Sequence, residues 1–270
     1  MLINNKIFSL ILLCILSFTL LTGCRQKERT ANELVIGTMA GPESELMRVA
    51  QTVAEKQYNL KIRIVEFEDY VTPNAALAEG SIDANLFQHA PYLAKTIQVK
   101  GYKLVEIGRE FIYPMGLYSN RIKKLSDLPT QGSVAIPVDP SNAGRALLLL
   151  QEAKLITLDP TAGLYPTPKD IKQNPKQLKI KELEAAILPR MLKDVDLAAI
   201  NTNYAIPAGL MPSQDALFLE HKDSPYANIL VVRLGEESQE KYQKLLQALH
   251  SKEVVEEANK LFSGQAVPAW

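Results

Sequence analysis

Thiols are almost absent from this sequence. Its only cysteines are Cys14 and Cys24, both ahead of the region that can fold, so the remainder of the chain has neither a disulfide framework nor a cysteine metal site open to it. Histidine is nearly as scarce. His89, His221 and His250 stand far apart, without H-E-x-x-H spacing and without a histidine-rich loop, which removes the usual ligand sets for a transition metal. Net charge is missing as well, since 30 basic residues balance 30 acidic ones. With no basic stripe interleaved with aromatics, there is no electrostatic case for a nucleic-acid partner. Neither a G-x-S-x-G elbow nor a phosphate-cradling glycine pattern occurs, so no catalytic residue, metal or cofactor is expected. The apolar run Ile7 to Leu21 is too brief to serve comfortably as a membrane-spanning helix of a mature protein.

What is present begins at that run. Met1 to Lys6 is weakly positive, and the apolar segment after it reads as a secretory signal. It ends in Leu21-Thr22-Gly23-Cys24, a lipobox-like pattern cleaved ahead of a cysteine whose thiol has been acylated. Residues 1–23 are then a signal peptide that is removed, Cys24 is the lipidated first residue, and 24–33 form a polar tether. Buried methylenes contribute ~0.8 kcal/mol each, so several acyl chains on Cys24 hold at a membrane where one would exchange. An uncleaved signal anchor is the alternative reading of the same residues. Arg25 rather than an Asp follows Cys24, which leaves sorting between the cytoplasmic and outer membranes open. The folded part faces the periplasm or the outer side of the cytoplasmic membrane.

Beyond the tether, 47% hydrophobic and 22% charged residues suit a chain that buries one or two substantial cores. Glu33 to Gly37 reads as a buried strand, and Leu46, Ala50 and Val53 fall on one helical face after Gly41-Pro42. Leu60, Ile62 and Ile64 alternate with Lys61 and Arg63 as in a strand, and Thr72-Pro73 opens a short helix ending by Gly80. Strands are predicted again at Ile82 to Phe87 and Lys103 to Ile107, on either side of a helix from Pro91 to near Gly101. A second series comes next: strand 133–137, helix 141–153, strands near 178–183 and 195–200. A strand at 229–233 precedes two amphipathic helices at 237–248 and 253–262. Such alternation predicts an α/β fold with mainly parallel sheets. Two series without a long linker suggest two lobes joined by crossing strands near 111–119 and 228–233, with a ligand cleft between them. Lobe I is drawn as 34–115 plus 231–270, and lobe II as 116–230.

Two constellations carry chemistry. Phe87, His89 and Tyr92 gather at the carboxyl end of a predicted strand, the end at which open α/β folds bind ligands, and Tyr70 lies upstream as a further wall. Rings and an imidazole so placed line a slot for an apolar or polarizable group; sulfur against a ring is worth ~0.3 to 1.5 kcal/mol. The plainer alternative makes Phe87 core and His89 a capping loop residue. Arg145 is expected in the first turn of a helix after Asp139-Pro140-Ser141, where its charge opposes the macrodipole unless an anion answers it. Free amides at that helix start and the guanidinium fork make a carboxylate receptor. A structural ion pair with Asp139 or Glu182 is the competing reading. Asn201 and Asn228 sit where strands open onto the cleft, and carboxamides supply donors and acceptors for a zwitterion. Taken singly, each is as easily a turn residue.

Glu68 to Asn74, Asp83 to Tyr92, Asp139 to Leu150, Ile200 to Ala205 and Ser224 to Asn228 occur in order along the chain. Together with the lipobox and the terminal Ala266 to Trp270, they make this sequence resemble the methionine-binding lipoprotein family of ABC-importer receptors over essentially its whole length. The resemblance implies a two-lobe clamshell of periplasmic-binding-protein type with two crossing strands. It implies that Tyr70, Phe87, His89 and Tyr92 surround a methionine side chain, that Arg145 holds its carboxylate, and that Asn201 and Asn228 bind its polar end. It further implies partners: a methionine ABC permease with its ATPase, and a membrane reached through the lipid on Cys24.

Leu86, Ala90 and Asn203 depart from the pattern the resemblance leads one to expect. They leave open a pocket retuned toward D-methionine, a methionine-containing dipeptide or another small amino acid. A reading of another class, a surface lipoprotein in adhesion or host contact, is left open by Arg25.

Overall fold

The computed structural model describes residues 32–221 and 223–270. The expected signal peptide, Cys24 and the tether up to residue 31 lie outside them. In chain order the elements are β1 (Glu33–Met39), α1 (Pro42–Tyr58), β2 (Lys61–Phe67), α2 (Thr72–Ala78), β3 (Ala84–His89), α3 (Ala90–Lys100), β4 (Leu104–Ile112) and β5 (Gly116–Tyr118). Next come β6 (Ser133–Pro137), α4 (Pro140–Glu152), β7 (Thr157–Leu158), β8 (Ile171–Gln173), β9 (Lys179–Leu183), α5 (Leu188–Met191) and β10 (Leu197–Ile200). The chain closes with α6 (Thr202–Ala205), α7 (Pro212–Asp215), β11 (Phe218–Leu219), β12 (Ala227–Arg233), α8 (Glu240–Leu249), α9 (Lys252–Leu261) and β13 (Val267–Pro268).

Two sheets build two lobes. The first runs β13-β4-β12-β3-β1-β2, with β1 parallel to both β2 and β3 and with β12 antiparallel to β3 and β4. Strand β1 is buried over nearly its whole length because helices cover both faces, as a parallel strand at the centre of a sheet requires. One covering helix is α1, whose Leu46, Met47, Ala50, Val53 and Ala54 face the sheet, joined by Tyr242, Leu245 and Leu249 of α8 and Val254 and Ala258 of α9. Its punctuation is local: Gly41 takes a positive φ of 98°, Pro42 opens the helix, and Asn59 closes it in the left-handed region.

The second sheet runs β11-β5-β10-β6-β9, with β10, β6 and β9 parallel and β5 and β11 antiparallel at one edge. Helix α4 lays Ala143, Ala146, Leu147, Leu149 and Leu150 into this lobe's core. Gly144 lets α4 approach the loop beyond it, since a Cβ there would stand 2.6 Å from the Leu164 carbonyl oxygen and 2.9 Å from Tyr165 Cα. Among the described residues no helix is long and apolar enough to cross a membrane.

The chain passes from the first sheet to the second through Tyr113-Pro114-Met115, between β4 and β5, and returns before β12. Strand β12 lies whole in the six-stranded sheet, so a boundary at 230/231 would cut through it. Sheet membership places the return crossing between β11 and β12 instead. Asn228 is accordingly inside β12 and not ahead of it.

Candidate functional site

The carboxyl ends of β1, β3, β6 and β10 meet between the lobes, and the loops and helices that succeed them line one cavity. Its empty space is about 360 Å³, a figure that includes the solvent at the mouth. All seven side chains expected from the sequence, Tyr70, Phe87, His89, Tyr92, Arg145, Asn201 and Asn228, are on its wall. So are Glu43, Gln88, Tyr113, Asn142 and Thr202, which the sequence reading does not single out, and Asn203, which it names only as a departure from the family pattern.

One end is aromatic. Tyr70, Phe87 and Tyr92 form a triangle with ring centroids 5.9 to 6.0 Å apart, spacings at which tilted and edge-on rings attract. The Tyr92 hydroxyl donates to the Tyr70 carbonyl at 2.8 Å, and the Tyr70 hydroxyl donates to Asn203 Oδ1 at 2.7 Å, reaching from one lobe to the other. His89 is both a capping residue and a wall. Its Nδ1 accepts from the Tyr92 amide at 3.2 Å at the start of α3, which leaves the proton on Nε2, 3.4 Å from Asn142 Oδ1. Burial, then the nearby Arg145 charge, pulls the imidazole down to about 3, so it is a neutral ring at ordinary pH.

The other end is polar, and here the structure corrects the sequence reading. Arg145 is the sixth residue of α4, beyond the first turn, and its charge is answered by neither Asp139 nor Glu182. Glu220 takes it in two parallel bonds, with Nε to Oε1 at 3.0 Å and Nη2 to Oε2 at 2.5 Å, while Nη2 also donates to the Tyr113 carbonyl at 3.0 Å. Tyr226 lies under the guanidinium at 4.6 Å. Nor is the start of α4 an open anion site: Asp139 caps it, accepting from the Asn142 amide at 2.9 Å. A carboxylate of the protein's own already fills the place where an anion was expected.

Asn142 ties the lobes' polar groups together. Its Nδ2 donates to Asp139, and its Oδ1 accepts from Asn201 Nδ2 at 2.8 Å. The β3–β12 register sets Asn228 directly opposite His89, and Asn228 Nδ2 donates to Glu43 Oε1 at 2.8 Å. Glu43 stands in the first turn of α1, 6% exposed, with burial pushing its carboxyl up to about 8. Among the described residues Glu43 Oε2, Asn201 Oδ1 and Asn203 Nδ2 are buried without a hydrogen-bond partner. Buried polar atoms are rarely left so. Unpaired polar atoms beside a ring-lined slot suit a small molecule with an apolar tail and a polar head.

Nothing in the sequence near Glu43 betrays this role, because an acidic residue in a helix's first turn is routine. Asn203 and Thr202 do carry a signal, being next to Asn201 at the end of β10.

Comparison with known proteins adds a second line of observation. A family model described as NlpA lipoprotein matches residues 34–270. The D-methionine-binding lipoprotein MetQ of Salmonella typhimurium is 50% identical over 252 residues, which is 93% of this chain and 93% of that protein. A nutrient-binding protein from Burkholderia cenocepacia, solved bound to methionine, is 49% identical with a TM-score of 0.86, covering 88% of this chain and 100% of its own. The solved methionine-binding protein MetQ is 49% identical with a TM-score of 0.87, at 89% and 99% coverage.

Proposed function

We propose, since the chain belongs to the NlpA lipoprotein family, that it captures methionine, the L-form favoured, between its lobes and delivers it to an ABC importer. The observation that carries this reading is the cavity's two-ended character. A thioether finds Tyr70, Phe87, His89 and Tyr92 at one end, and an amino acid's charged groups find Arg145, Asn201 and Asn228 at the other. Contacts come from both lobes, so the ligand binds the closed arrangement better than an open one and shifts the population toward it. Asn203 and Tyr70 already bridge the lobes. No bond is made or broken in such a cycle.

Delivery requires a permease and its ATPase as partners, and acyl chains on Cys24 would keep the protein at the membrane beside them. Replacing Cys24 by Ser is expected to move the protein from the membrane to the soluble fraction. D-methionine is the second reading, favoured by the name of the Salmonella relative. Native mass spectrometry of the lipoprotein as purified, released from detergent, tests the assignment. A retained guest with the mass of methionine supports it, with chiral chromatography of the released guest dividing L from D. A different guest, or failure of added methionine to bind the emptied protein, contradicts it.

A further inference from the structure

We infer that Glu43 receives the ammonium group of the captured ligand and releases one proton to solvent as it does so. The inference rests on the amino-acid reading of the site, and it names both the group that recognises the amino end and the proton linkage of capture.

Geometry points to Glu43. Its carboxyl group is buried, one oxygen is held by Asn228 at 2.8 Å, and the other is buried with no hydrogen-bond partner among the described residues, on a residue that lines the cavity. A buried carboxylate without a cation beside it is costly, and burial pushes this carboxyl up to about 8. An ammonium brought into the cavity meets the same cost unless a carboxylate faces it. The other charges nearby do not serve, because Arg145 on the wall is positive and Glu220, outside the cavity lining, is already committed to it.

The groups that reach Glu43 from neighbouring elements do not compete for the proton. Tyr70, Tyr113 and Tyr204 are raised by burial and stay neutral; His89 is neutral down to about 3. Asp139 is raised by burial too, but its oxygens are taken up by Asn142. The start of α1 favours a negative charge at Glu43 once the ligand arrives. In balance, the carboxylic acid plus the zwitterion gives carboxylate, bound ammonium and one free proton.

Calorimetric titration of the purified lipoprotein with L-methionine, run at pH 6.5 in two buffers of different ionisation enthalpy, counts that proton. We expect release approaching one proton per ligand, and affinity rising about tenfold between pH 6 and pH 7. Glu43→Gln keeps the volume and the bond from Asn228. It should abolish the proton release, flatten the pH dependence and weaken L-methionine roughly 100-fold, while leaving the binding of the analogue without the amino group, 4-(methylthio)butanoate, little changed. Glu43→Asp, a carboxylic acid still, should retain release. Binding by the unaltered protein without proton release, or release that persists in Glu43→Gln, overturns this inference and leaves methionine capture standing. Absence of methionine binding in the unaltered protein overturns both.

Discussion

Arg145 and Glu220 meet as a buried pair, 4% and 9% exposed, joined by two parallel bonds. The pair is also fastened to the crossing segment, since Arg145 donates to the Tyr113 carbonyl and Glu220 accepts from the Met115 amide at 3.0 Å. Thr202 holds the residue between them, donating to the Pro114 carbonyl at 2.5 Å. Two cavity-wall residues, Arg145 and Thr202, and the ion-pair partner Glu220 therefore grip the very backbone that joins the lobes.

Removing Glu220 leaves the guanidinium buried without its counter-ion, a change that costs about 3 to 5 kcal/mol when a buried pair is broken. Glu220→Ala should lower the stability of the ligand-free protein by that order in urea unfolding. A loss below about 1 kcal/mol would mean that Arg145 finds another partner or water.

His89 and Glu43 set opposite pH slopes. In the unfolded chain, between about pH 4.5 and 6.5, the histidine is protonated and the glutamate ionised; in the folded chain both are neutral. The lowered imidazole contributes stability that is present above 6.5 and is lost as pH falls toward 3. The raised carboxyl contributes stability that is present below 4.5 and is lost as pH rises toward 8. Each slope is about 1.4 kcal/mol per pH unit, so they cancel in this window. Urea unfolding of Glu43→Gln at pH 5 and pH 6 should show stability rising with pH relative to the unaltered protein, and His89→Gln should show it falling. Parallel behaviour of all three proteins would refute the assignment of either group.

The aromatic half of the site is legible in the sequence because it is local: Phe87, His89 and Tyr92 fall within one strand end and one helix start. The polar half is legible in part. Asn201 directly follows one apolar strand and Asn228 is the second residue of another, and both strands advertise themselves, whereas the partner of Arg145 is neither of the carboxylates the sequence suggests. Glu220 lies 75 residues away, brought in by the β11–β5 pairing, which no periodicity reveals. Glu43 is hidden for the same reason, as its burial depends on Asn228, 185 residues on. Sheet order gave the fold its cleft; short-range pattern predicts the elements but not which carboxylates the topology buries.

Tyr70 contributes a ring to the slot and a hydroxyl to the other lobe. Tyr70→Phe keeps the ring and deletes the bond to Asn203, worth about 0.5 to 1.5 kcal/mol. Ligand dissociation, tracked by stopped-flow fluorescence, should quicken by roughly two- to tenfold with little change in overall stability. An unchanged off-rate would show that this contact does not hold the lobes closed around the ligand.

The role proposed for the guanidinium, as carboxylate receptor, is tested most directly by equilibrium dialysis of labelled L-methionine against the ligand-stripped lipoprotein and its Arg145→Lys variant. Lysine retains the charge, and with it the partner for Glu220, but lacks the planar fork. We expect one methionine bound per chain in the unaltered protein and a loss of at least about tenfold in the variant. No bound methionine in the first, or equal affinity in the second, would contradict the assignment of this cavity.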